Sequence, residues 1–326
     1  MTPIRRARRA GIIAALAALP LAAAYRFALV YRVRAGYPKQ HPPAWEPDAV
    51  GLAFEALEIP TSDGLRIHAW YMPAGPDPAP GVVLVHGWES SRDRTLPHAQ
   101  VLHAIGMHVL TIDVRGHGAN PPEALPMSVG EYALDTRAAV AALRARPEVT
   151  TIGILGHSMG AAGSLVATAQ DKDVDAVIAV AAPADPHRLT RQTFRLAKLP
   201  IPSVLAWPLA WLTTRVYLQP RGHTVASISA THAVRAIRVP VMLVHGTDDG
   251  VVPVAESVAS MRVGMSGFGA RSARIRSICR RVFRAAAAIN SPTFSSVSCV
   301  LRSSTPLRFS RPSAIAWKIG GNCRAT

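Results

Sequence analysis

The sequence predicts an α/β protein built on a mostly parallel, doubly wound sheet. Three observations carry that reading. Short continuous apolar runs alternate with longer helical stretches across residues 52–262, the order that βαβ units impose. The runs are rich in Val, Ile and Leu without polar alternation, as in strands covered on both faces. Glycine-containing motifs follow directly on the runs, at the strand carboxyl ends where an open parallel sheet places its site.

The chain has 326 residues, 49% of them hydrophobic. That length suits one large α/β domain or two small ones, and that apolar content excludes disorder throughout. Three cysteines exclude a disulfide scaffold, and the absence of paired CxxC motifs excludes a zinc ribbon.

Taken in order, the chain opens with Arg5, Arg6, Arg8 and Arg9, followed by Ala10 to Tyr25 without a charge. As a helix this run covers ~24 Å, short of the ~30 Å hydrocarbon core. Continued to Tyr31 it spans the core but takes in Arg26, which can snorkel to the interface. Residues 1–36 are therefore expected to be a single-pass membrane anchor, with a signal segment cleaved near Ala22-Ala23-Ala24, and hence secretion, as the alternative. Basic residues flank the run almost equally, so its orientation stays open. Residues 37–51 read as a linker.

In the body, Leu65–Met72 alternates like an edge strand. Gly81–His86, Val109–Val114, Ile152–Leu155, Val174–Val180 and Val241–Val244 read as buried strands. Thr95–Ile105, Ser128–Ala145 and Met159–Ala169 read as helices. The net charge of +16 resembles a nucleic-acid signal, but its distribution argues otherwise. Residues 1–40 carry +8, residues 41–256 carry −4, and residues 257–326 carry +12. The body is mildly acidic and shows no nucleic-acid-binding module, so no nucleic-acid partner is expected.

Four motifs sit at strand ends. Gly156-His157-Ser158-Met159-Gly160 lies between a buried strand and a helix, the context of a nucleophile elbow. Ser158 on such a turn has an exposed Oγ, and the following helix points its N-terminus at developing negative charge. His86-Gly87-Trp88 ends an earlier strand, where the backbone N–H of Trp88 can join that of Met159 in an oxyanion hole; His86 reads as a hydrogen-bonded loop residue. Asp113-Val-Arg-Gly-His-Gly118 reads as a structural loop held by Asp113 and Arg115. His245-Gly-Thr-Asp-Asp-Gly-Val-Val-Pro253 offers a carboxylate to orient a catalytic histidine, Asp249 by its spacing, with Asp248 as the alternative.

These motifs, in this order, resemble those of the α/β-hydrolase superfamily, in its serine aminopeptidase-like and lysophospholipase-like branch. The resemblance covers about Phe54 to Arg262. It implies an α/β-hydrolase domain over residues 52–262, with a small cap at 184–237, that cleaves small-molecule carboxylic esters or amides through an acyl-enzyme. It implies Ser158 as nucleophile, Asp249 as the acid, Trp88 and Met159 as oxyanion donors, and no metal or organic cofactor. Within the cap, Leu199 to Trp211 is apolar with two tryptophans, suited either to flooring an acyl pocket or to packing the cap on the body.

The departure from the family pattern is the triad histidine, which should follow Asp249. No histidine follows His245. Residues 257–326 also lack any Asp or Glu, and serine rises from 9 in the first 256 residues to 13 in the last 70. One reading is a shifted frame near residues 262–265, leaving 263–326 as a disordered or non-native tail without the family's last strand, histidine loop and final helix. The other is a genuine basic tail. His117, His223 or His232 could stand in as base, whereas His157 is expected to point away from Ser158. A catalytically defective or binding-only homologue is the alternative to an active hydrolase.

Overall fold

In a computed structural model, residues 3–246, 248–256, 260, 297–302 and 316–317 are described. The strands are β1 (Glu55–Pro60), β2 (Arg66–Met72), β3 (Ala79–Val85), β4 (His108–Ile112), β5 (Val149–His157), β6 (Ala176–Val180), β7 (Val241–Gly246), β8 (Val297–Arg302) and β9 (Ala316–Trp317). They form one sheet in the order β1-β2-β4-β3-β5-β6-β7-β8-β9. β3 to β7 run parallel; β1 and β2 at one edge, and β8 and β9 at the other, are antiparallel.

The five parallel strands contain the apolar runs read from the sequence, and their pleat explains the lack of polar alternation. Val83 and Val85 point into one apolar layer, and Val82 and Leu84 into the other. The first layer is closed by α3 (Val129–Arg144) and α4 (Met159–Gln170), the second by α2 (Leu96–Ala104). α3 begins at a capping box: Ser128 Oγ accepts from Gly130 N at 3.1 Å, and Glu131 Oε2 accepts from Ser128 N at 2.7 Å.

Residues 184–237 form α5 (Pro186–Leu196), α6 (Ser203–Leu218), α7 (Val225–Ile228) and α8 (Ala230–Ala236). Only part of this stretch is a cap. Ala233 and Val234 of α8 lie in the core layer shared with α4, because their side of the helix is apolar. Trp207 and Trp211 of α6 neither floor a pocket nor pack on the body. They face outward, 44% and 51% exposed, while Ala210 between them is buried.

One further expectation changes. The sheet does not end at β7: Val297–Arg302 pairs along β7 from Arg302 opposite Val241 to Val297 opposite Gly246. The open edge of a buried parallel strand presents unpaired N–H and C=O groups, and β8 satisfies them. It runs antiparallel to β7, so it is not a continuation of the parallel series. The remainder of 263–326, the proposed frame change and a candidate basic helix at 275–289 lie outside the described residues.

The N-terminal segment forms α1 (Pro3–Ala35), and its second half docks on the cap. Ala28 is buried; the Phe27 and Tyr31 rings each meet Phe194 edge-on at 5.5 Å. Tyr31 OH is hydrogen-bonded to Thr193 Oγ1, and Ala35 O accepts from Tyr217 OH at 3.2 Å. Among the described residues no helix is long and apolar enough to cross a membrane.

Candidate active site

The strand-to-helix joint at the end of β5 sets the site. Ser158 has φ +53° and ψ −118°, a conformation that costs a non-glycine residue energy and persists only where neighbours enforce it. Two glycines make the enforcement possible. A Cβ on Gly160 would stand 2.3 Å from His86 O and 2.5 Å from Val85 O. One on Gly156 would stand 2.5 Å from both Gly160 O and Ser164 Oγ. The elbow is thus clamped between the end of β3 and the first turn of α4. Ser158 N donates to Val180 O at 2.8 Å, and Ser158 O accepts the first helical bond from Ala162 N at 3.1 Å. Its side chain is partly exposed, and among the described residues its Oγ has no hydrogen-bond partner.

Trp88 lies in the turn that leaves β3. Met159 opens α4, so its N–H is one of the orphan donors of a helix start. Among the described residues neither the Trp88 N–H nor the Met159 N–H has an acceptor. One unused amide thus follows Ser158 directly at the start of α4, where the helix dipole is positive, and the other follows Gly87, where a Cβ would stand 3.3 Å from Ser158 Cβ.

His157 precedes the nucleophile at the end of β5. A Cβ on Gly87 would meet His157 Nδ1 at 3.2 Å and Ser158 Cβ at 3.3 Å, so residues 157 and 158 both pack near Gly87; His157 is exposed, and among the described residues no hydrogen bond joins it to Ser158. Loss of solvent holds the His157 pKa below the ordinary histidine value, and the Asp249 carboxylate opposes that shift.

Asp249 follows β7, two strands from Ser158 and so about 10 Å away across the sheet, a span that one imidazole can bridge. Its Oδ1 accepts from Val251 N at 2.8 Å and Val252 N at 2.9 Å. Its Oδ2 lies 3.7 Å from His245 Nε2, which itself donates to Val252 O at 2.6 Å. Asp248 is exposed.

The other polar motif residues tie loops together. His86 Nδ1 donates to Gly87 O at 2.7 Å while its Nε2 accepts from Val114 N at 3.1 Å. Asp113 Oδ1 accepts from Arg92 N at 2.7 Å, and its Oδ2 pairs with the Arg92 guanidinium. Arg115 binds Asp135 through Nε at 2.9 Å and also pairs with Asp63. Two of the stand-in histidines are occupied. His117 donates through Nδ1 to Arg115 O at 3.0 Å and accepts from Tyr132 OH at 3.0 Å. His223 Nε2 is 2.6 Å from Glu131 Oε1. His232 is exposed on α8.

Burial pushes His86 and His117 down to about 4, so both are neutral in the folded protein at pH 7. Unfolded, each takes up a proton from about pH 6.5 downward. Stability is therefore full above about pH 6.5 and falls as the pH drops towards 4, by up to about 3 kcal/mol for each histidine. Below 4 the folded form protonates too and this loss ends. Urea unfolding between pH 7 and pH 4 should show the decline, with a shallower slope in His117→Gln, whose amide can still accept from Tyr132.

The sheet order and the elbow after its central parallel strand give the chain the α/β-hydrolase fold. Its sequence is similar to members of that superfamily. Within it, the family model for serine aminopeptidase, S33, matches residues 76–232. An uncharacterised protein of Mycobacterium tuberculosis is 30% identical over 202 residues, 61% of this chain and 63% of that protein. The chain thus spans under two thirds of that relative's length. The α/β-hydrolase domain-containing protein WAV2 of Arabidopsis thaliana is 28% identical over 163 residues, 48% of this chain and 51% of that protein. Among solved structures, an esterase of Pyrococcus furiosus superposes with a TM-score of 0.56 at 25% identity, covering 70% of this chain and 83% of the esterase.

Proposed function

We propose that this protein is a serine hydrolase of carboxylic esters or small amides that works through an acyl-enzyme on Ser158. The observation that carries the reading is Ser158 at φ +53°, its Oγ unpartnered and the Trp88 and Met159 amides free among the described residues. Attack of Oγ on a substrate carbonyl forms the C–O bond and places the negative charge on the former carbonyl oxygen. The Trp88 and Met159 N–H groups stabilise that charge. Collapse of the adduct expels the alcohol or amine, and water then releases the acid. The Ser158 proton must leave during attack and return to the leaving group, which is the task of an imidazole. Asp249 would orient that imidazole and stabilise its charged form. The similarity to an esterase and to the serine aminopeptidase family supports this substrate class.

No histidine follows Asp249, and no described histidine hydrogen-bonds Ser158. A positioned base contributes about 10²–10⁴-fold, so turnover of an activated ester should be slow. It should rise with added imidazole, saturating as the site fills, and the rise should vanish in Ser158→Ala. An equal imidazole dependence in wild type and Ser158→Ala would be solution catalysis and would remove the proposal. The missing histidine also supports a second reading, a chain that binds ester or amide ligands without turning them over; ligand binding with neither turnover nor imidazole rescue would favour it. We further read α1 as the segment that attaches the chain to a membrane, on its basic start and its uncharged run from Ala10 to Tyr25.

A further inference from the structure

We infer that the cap itself is a membrane-docking surface: the outer face of α6 rests in the interface of a bilayer that carries anionic lipid. Val204, Trp207 and Trp211 lie at i, i+3 and i+7 and so share one face of the helix. They are 79%, 44% and 51% exposed, and Leu205 beside them is 53% exposed. The opposite side of the same helix is already satisfied, with Ala210, Thr213 and Val216 buried. A helix of a water-bathed cap needs an apolar stripe on one side only; this one is apolar on its outward side as well.

Charge selects the occupant. Residues 186–247 hold eight Lys and Arg and no Asp or Glu. Arg195, Lys198 and Arg215 are exposed around the apolar face, and among the described residues no carboxylate pairs with them. The Arg215 guanidinium lies 3.6 Å from the centre of the Trp211 ring, and that of Arg191 lies 4.5 Å from the Trp207 ring. Tryptophan beneath a cation is the arrangement that suits headgroup depth, where indole rings partition and basic side chains meet lipid phosphates. A second copy of the chain would oppose one basic cap to another. The segment 257–326 carries +12, so it too is repelled from this face. Anionic lipid complements both the apolar and the charged features.

This docking depends neither on hydrolysis at Ser158 nor on α1, and the test separates all three. The full chain is mixed with vesicles of phosphatidylcholine, alone or with phosphatidylglycerol, some carrying brominated acyl chains that quench tryptophan at short range. With phosphatidylglycerol present, the wild type should lose fluorescence, and that loss should disappear in Trp207→Phe/Trp211→Phe even if the variant still floats with vesicles through α1. Val204→Asp/Leu205→Asp should cut the bromolipid quenching of the cap tryptophans roughly tenfold or more with an unchanged unfolding midpoint, because both side chains are exposed. Unaltered quenching in the Phe variant, or equal quenching of the Asp variant and the wild type, would overturn the inference. So would a wild-type dimer that ignores vesicles and is lost in the Asp variant, which would assign the face to a second copy. Ester turnover is measured alongside: its failure with quenching intact would count against the proposed reaction and leave the docking surface standing.

Discussion

Ser158→Ala should abolish covalent labelling by a fluorophosphonate probe and reduce any ester turnover to that of buffer, while leaving the fold in place. The reasons are local. The Ser158 side chain makes no hydrogen bond among the described residues, so removing Oγ leaves no polar group unpaired. The alanine keeps the +53° backbone, and the strain of that backbone is unchanged. Ser158→Gly makes a sharper control. It removes the same nucleophile and also relieves the cost of a positive φ, so it should raise stability by about 1 kcal/mol. An inactive protein that is more stable than wild type would show that the strain serves the position of the hydroxyl. Equal probe labelling of wild type and Ser158→Ala would place the reactive group elsewhere.

Gly160→Ala should have the largest effect on stability, a loss of about 3 kcal/mol or more, or failure to fold. A methyl group would stand 2.3 Å from His86 O and 2.5 Å from Val85 O. Both contacts are to backbone, so no side-chain rotation can relieve them, and overpacking of that kind forces main-chain movement. The displaced strand end is the one that leads to Trp88, so the oxyanion turn and the elbow would separate together. Urea denaturation measures the loss. A Gly160→Ala protein with a wild-type midpoint and wild-type labelling would show that the β3–α4 approach is looser than these distances state.

The strand ends were legible because their residues report on local chemistry. Gly156 and Gly160 flank Ser158 at the only spacing that lets main chain pass on both sides of the turn. The unbroken apolar run Gly81–Val85 admits only a strand covered on both faces. β1 was not legible: Glu55-Ala-Leu-Glu-Ile-Pro60 is a short edge strand, and its partner β2 supplies most of the pattern. β8 was missed for a related reason. Val297–Arg302 lies in a serine-rich stretch, and its place follows from the unpaired edge of β7 rather than from its own residues. The tryptophans of α6 show the limit of composition: an apolar segment in a cap looks the same whether it faces inward or outward.

The amino-acid sequence alone determined the parallel α/β scaffold, the elbow at Ser158, the acid at Asp249 and the absence of any histidine beyond His245, because each of these is written in contiguous residues whose spacing local backbone geometry constrains. Tertiary structure alone decided that α1 lies along the cap, that α8 belongs to the core and that Trp207 and Trp211 face outward. Those outcomes depend on which surfaces meet across 100 residues or more, and on the energy of burying one face rather than another, which no local pattern encodes.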